Sequence, residues 1–173
     1  MLRVRKRVVF ISLLLIILGV FAFVFFNVSG YKKYYREIEF YSQKYGVDKY
    51  LVLAIIKTES GYDEKAVSSK GALGIMQIMP ETAKFNSERL NLQNYNLLDY
   101  KTSIEFGVYY LSYLKNKFNN EYEIICAYNA GEGRVLSWIK LGILSETSVP
   151  FKETETYLKR VKLRKFLYSK LVK

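Results

Sequence analysis

Val52, Ile55, Ile56 and Glu59 fall at i, i+3, i+4 and i+7, so Glu59 shares one helical stripe with three apolar side chains. A carboxylate on a buried stripe is costly unless it is paired or protonated. Desolvation lifts such a pKa from roughly 4.3 toward ~6–7, the range a general acid needs at neutral pH. The competing reading is a glutamate at a helix end, paired to a neighbour such as Lys57. Composition removes most other chemistry. With no histidine, Ser-His-Asp and Cys-His catalysis and the usual His-ligated zinc sites are excluded. With Cys126 as the one cysteine there is neither an internal disulfide nor a thiolate cluster, and Cys126 reads as a small buried apolar residue.

Two further segments could surround Glu59. Ser68 to Pro80 (SSKGALGIMQIMP) is apolar but broken by Gly71, Gly74 and Pro80. Each glycine costs ~1 kcal/mol relative to alanine inside a helix. They suit a wall where a ligand or a second backbone comes close. Within that wall Gln77 offers an amide and Met79 a polarizable contact. Ala127-Tyr128-Asn129-Ala130-Gly131 adds a phenol and an amide at a helix end. Other carboxylates read differently: Asp63 and Glu64 as loop residues, Glu81 as first-turn helix chemistry, Asp99 as a cap.

The elements that must hold these residues are helical. Tyr34, Ile38 and Tyr41 give helical spacing within 31–45, closed by Gly46. Asp48 caps a second helix from Lys49 to about Ser60. Pro80-Glu81-Thr82 opens another. Leu97–Phe118 repeats Ile104, Val108, Leu111, Leu114 and Phe118, with Asp99 or Thr102 as cap. Helices over 122–129, 134–141 and 154–172 follow, the last strongly basic. No stretch alternates long enough for a sheet, so the expected class is all-α.

At the amino terminus, Met1–Arg7 carries four positive charges, and Val8–Val28 carries no charged residue. At 1.5 Å per residue that run spans a hydrocarbon layer of about 30 Å. Its exit, Phe25-Phe26-Asn27-Val28-Ser29, lacks a small-residue cleavage pattern. It therefore reads as an uncleaved single-pass anchor, with residues 1–7 cytoplasmic and 31–173 an extracytoplasmic domain at the cell membrane. About 23 basic against 16 acidic residues remain outside. Such a face meets anionic envelope polymers rather than nucleic acid. Lys159, Arg160, Lys162, Arg164 and Lys165 read as a solvated face attracted to those polymers.

Taken in order, Glu59-Ser60-Gly61, GALGIMQIMPETA, LLDYKTSIEFGVYYLSYL, AYNAGEGRV and VPFKETETYLKRV resemble the soluble lytic transglycosylase family. The match runs from about Tyr41 to Val161; the anchor lies outside it. The resemblance implies a lysozyme-like fold, a transglycosylase SLT domain, and cleavage of peptidoglycan glycan strands without metal or cofactor. It implies Glu59 as the catalytic glutamate and Ser68, Gln77 and Met79 as groove residues. Tyr128 and Asn129 would flank the scissile bond, with the tyrosine orienting the glutamate or the reacting sugar. Glu153 would be a second glutamate of the cleft and Tyr157 an aromatic near it. Contacts between Phe85 and Asn96 are not assigned by it. A goose-type lysozyme-like hydrolase and a silent glycan-binding module share these features and are separated by product mass and by substitution of Glu59.

Overall fold

The computed structural model describes residues 2–172, with side chains from Phe10 onward. Met1, Lys173 and the charged side chains of the basic segment Met1–Arg7 therefore lie outside the described residues. Eight α-helices follow in order among the described residues: α1 Leu2–Val28, α2 Tyr35–Tyr45, α3 Lys49–Glu59, α4 Pro80–Leu90, α5 Tyr100–Lys117, α6 Glu121–Ala130, α7 Glu132–Lys140 and α8 Lys152–Leu171. No strand is formed among them, only isolated bridges joining Val67 to Leu73 and Leu73 to Ile78.

Local chemistry accounts for most boundaries. The Asp48 side chain accepts from the Tyr50 amide at 2.9 Å and starts α3. Asp99 accepts from both the amide and the hydroxyl of Thr102, so α5 begins after it rather than at Leu97. Asn120 and Glu123 form a reciprocal capping box that starts α6. Pro80 sits at the first position of α4. Other boundaries also depart from the sequence pattern: α6 and α8 start at Glu121 and Lys152, ahead of the expected 122 and 154. Tyr31–Lys33 forms a separate 3-10 turn before α2. Gly131 alone, at φ +87° and ψ 142°, separates α6 from α7, so α7 starts at Glu132 rather than 134.

The core is built around α3. Leu51 to Ile56 are all buried, which leaves this helix no solvated face along that stretch. Each fully buried Ile or Leu of this kind contributes roughly 1.5–3 kcal/mol. The long helix α8 lies antiparallel along α3: Tyr157 meets Glu59 at one end, and the Tyr50 hydroxyl reaches the Val172 carbonyl at the other. Cys126 is buried in the same core, where desolvation pushes its thiol up to about 12. Helix α1 differs from the rest. Phe10, Phe21 and Phe26 are each about two-thirds exposed, and among the described side chains of this helix only Asn27, at its carboxy-terminal end, is buried.

Candidate active site

Glu59 is the last residue of α3, and Ser60 fixes where that helix stops. The Ser60 hydroxyl donates to the Ile75 carbonyl at 2.7 Å and accepts from the Tyr62 amide at 3.1 Å. The end of α3 is thereby tied to the segment Ala66–Met79. That segment folds back on itself through paired Leu73 and Ile78 backbone bonds and a bond from the Gly74 amide to the Ala66 carbonyl. Gly74 is required by a second backbone. It has φ +76°, and a Cβ there would lie 1.9 Å from the Leu97 carbonyl oxygen.

The carboxyl of Glu59 accepts a 2.6 Å hydrogen bond from the Tyr157 hydroxyl. Burial raises the Glu59 pKa to about 7, and the Tyr157 hydrogen bond opposes that rise. Its position at the carboxy-terminal end of a helix acts in the same direction as burial, because the helix dipole is negative there. Lys57, the partner a helix-end glutamate might have used, turns away and donates to the Ser29 carbonyl at 3.2 Å. The buried-acid reading of the stripe therefore holds over the ion-pair reading.

The other sequence-selected residues fall into two groups. Tyr128 comes close to Glu59: its hydroxyl donates to the Met76 carbonyl at 2.9 Å, and both burial and the Glu59 charge raise its pKa. Of the two tyrosines it is thus Tyr157 that hydrogen-bonds the acid, while Tyr128 locks the wall. Asn129 accepts from the Thr154 hydroxyl at 2.8 Å, which joins the end of α6 to the first turn of α8. Gln77 is held at φ +50°, and its amide nitrogen donates to the carbonyls of Ala66 and Gly74, leaving its oxygen as the free acceptor. Met79 is 41% exposed at the entry to α4.

Ser68 and Glu153 are not drawn to Glu59 by any hydrogen bond. The Ser68 hydroxyl accepts from the Ala72 amide and closes a turn. The Glu153 side chain is 73% exposed and pairs with Lys70 at 3.7 Å, linking the wall segment to the start of α8 at the rim. Asp63 accepts from the Lys65 amide, Glu64 pairs with Lys33, and Asp99 is a cap, as their sequence context indicates.

Sequence reasoning missed Ser60 and Thr154, the hydroxyls that tie α3 to the wall and α6 to α8. Thr154 carried a usable signal, since it lies three residues before Tyr157 on one face of a helix. A hollow of about 260 Å³ is lined by Glu81, Thr82, Phe85, Tyr110, Tyr113 and Glu132. It adjoins the site through the Tyr110 ring, 5.9 Å from that of Tyr128. Phe85, from the unassigned stretch, lines this hollow.

Comparison with known proteins agrees with this fold. The family described as Transglycosylase SLT domain matches residues 36–144. The chain is 39% identical over 120 residues to the soluble lytic murein transglycosylase of Escherichia coli (strain K12), covering 63% of this chain and 19% of that protein. It is 35% identical over 118 residues to the membrane-bound lytic murein transglycosylase C of Mannheimia succiniciproducens, covering 61% of this chain and 33% of that protein. The crystal structure of the 70 kDa soluble lytic transglycosylase from Escherichia coli superposes with a TM-score of 0.73 at 33% identity, over 79% of this chain and 24% of that one. An inactive glutamate-to-glutamine mutant of the lytic transglycosylase Slt from Pseudomonas aeruginosa superposes with a TM-score of 0.73 at 29% identity, over 80% of this chain and 24% of that one. The chain thus spans about a fifth to a third of the length of these relatives.

Proposed function

Because the chain belongs to the Transglycosylase SLT domain family, we propose that it is a membrane-anchored lytic transglycosylase acting on peptidoglycan. The observation that carries this reading is the acid itself. Glu59 is half-buried at the end of α3, desolvation raises its pKa to about 7, and one hydroxyl, that of Tyr157, hydrogen-bonds it.

Protonated Glu59 gives its proton to the glycosidic oxygen leaving N-acetylmuramic acid, while positive charge develops at the anomeric carbon. The substrate's own acetamido group stabilises that centre, as in other substrate-assisted glycosidases. The ionised Glu59 then takes the proton of the same sugar's C6 hydroxyl, whose oxygen bonds to the anomeric carbon and closes a 1,6-anhydro ring. One carboxyl serves both steps in turn. An inverting or retaining hydrolase needs a second carboxylate across the bond. Here Glu153, which the resemblance implies as a second glutamate of the cleft and not as a catalytic partner, pairs with Lys70 at 3.7 Å. The free oxygen of Gln77, the Asn129–Thr154 pair and exposed Met79 would hold the glycan, and such positioning supplies several kcal/mol of barrier reduction.

Membrane attachment rests on α1. Its apolar side chains from Phe10 to Phe26 are exposed over a length that crosses a bilayer. The basic residues before it favour the cytoplasmic side, which sends the catalytic domain outward. Relatives named membrane-bound lytic murein transglycosylase C support the same attachment.

The test is mass analysis of muropeptides released from purified wall by the wild type and by Glu59→Gln. Anhydro ends, one water lighter than reducing ends, are expected from the wild type, with a loss of roughly 10²–10⁴-fold in rate for the variant. Reducing ends would instead indicate hydrolysis. An undiminished rate in the variant would mean that Glu59 is not the acid.

A further inference from the structure

Asn27 is the polar residue that the apolar helix α1 carries at its exit, and it is buried to 8% exposure. Its amide nitrogen donates to the Phe23 carbonyl at 2.9 Å, and its oxygen accepts from Arg164 Nε at 3.2 Å. The other end of that guanidinium grips α3: Arg164 Nη1 donates to the Lys57 carbonyl at 3.1 Å and to the Thr58 hydroxyl at 2.9 Å. The Lys57 carbonyl is among the last four of α3, which have no partner within the helix. Arg164 supplies that partner two residues before Glu59.

Neighbouring contacts close the same junction. Lys57 Nζ reaches the Ser29 carbonyl and lies 5.4 Å from the Phe26 ring centroid. Gly30, at φ +98°, lets the Tyr62 ring approach so closely that a Cβ would lie 3.0 Å from its Cδ2. Tyr31 meets Tyr168 edge-on at 5.9 Å. On α8, Arg164 lies two turns beyond Tyr157, so one face of that helix delivers both the hydroxyl on the Glu59 carboxyl and the guanidinium on its helix. Asn27 and Arg164 both lie outside residues 36–144, the segment that the family shares.

We infer that this junction is a positioning device: Arg164 clamps the exit of the anchor helix, through Asn27, onto the last turn of α3 and so sets where Glu59 stands. Arg164 and Asn27 are positioning residues that act through Lys57 and Thr58, not groups that touch the glycan. The inference rests on Glu59 being the acid. It goes beyond that reading in making the anchor a working part of the catalytic domain rather than a leash.

The experiment uses the full chain in lipid nanodiscs and soluble glycan oligomers, with Asn27→Leu, Arg164→Met and the conservative Asn27→Asp. Two quantities are read: the kcat and KM of cleavage, and amide hydrogen exchange over residues 57–62 with the middle of α5 as internal reference. Asn27→Leu and Arg164→Met are expected to lower kcat about tenfold with KM within about twofold. Exchange over 57–62 should quicken about tenfold while α5 is unchanged. Asn27→Asp, which keeps the acceptor, should restore both quantities to within about twofold of wild type. The clamp is refuted if Asn27→Leu leaves kcat and local exchange at wild-type values, or if exchange in α5 rises equally, which marks general loosening. Glu59→Gln, run beside them, separates the two ideas. Retained activity there sinks the assignment of the acid, while the exchange data still judge the clamp.

Discussion

At the scale of single residues, the site turns on one proton. The Glu59 pKa of about 7 against an ordinary 4.5 means that the folded chain binds this proton more tightly than the unfolded one. Its contribution to stability is therefore fully present below about pH 4.5 and is lost as pH rises through 7. Activity that needs the acid form falls over the same upper limb. Tyr157→Phe removes a hydrogen bond that favours the ionised carboxyl. The alkaline limb of the kcat/KM profile is then expected to move to higher pH, a direction opposite to that of a variant that merely admits water to Glu59. Glu59 itself was legible in the chain, because a carboxyl in step with Val52, Ile55 and Ile56 has few structural uses. The resemblance also marked Tyr157, but beside Glu153; its pairing with Glu59, 98 residues away, was not legible, because only the antiparallel packing of α8 on α3 brings the two together.

At the scale of elements, sequence pattern located the helices because their start signals are chemical. Asp48, Pro80 and Asp99 each do what their residue type predicts at a helix start. The stretch from Ala66 to Met79 was legible only as non-helical. Its shape comes from contacts with Leu97 and Ser103, beyond the reach of local propensity. Gly74→Ala tests that account. The added methyl meets a backbone oxygen that has nowhere to go, so a loss of about 3 kcal/mol or more is expected. The thermal midpoint should fall by roughly 6–12 °C, measured by circular dichroism. A neutral outcome would mean that Leu97 and α5 are not held against the wall. Conversely, the basic pattern of α8 overstated its free charge. Lys159 pairs with Glu155, Lys162 with Glu146 and Lys165 with Asp48, while Arg164 is spent on the clamp.

At the scale of the whole molecule, the excess of about 23 basic over 16 acidic residues beyond the leading basic segment still sets a positive field. Its effect on binding should be long-range and weak at each contact. Association with walls that carry anionic polymers is expected to weaken as ionic strength passes about 0.15 M, where screening acts within about 8 Å. Walls stripped of those polymers should show little change, which pelleting assays at graded salt would measure. The link between α1 and the domain has its own consequence. Val28 and Tyr35 are separated by six residues, three of them wound into a tight turn and several tied to Lys57, Tyr62 and Tyr168. So short a hinge leaves no slack for the cleft to rise away from the lipid. With α1 in the bilayer, its working distance is about one domain width, on the order of 40 Å. Under the proposed anchoring and activity, glycan would be trimmed only where the meshwork lies nearest the cell, and outer layers would stay untouched until turnover or damage brings them down.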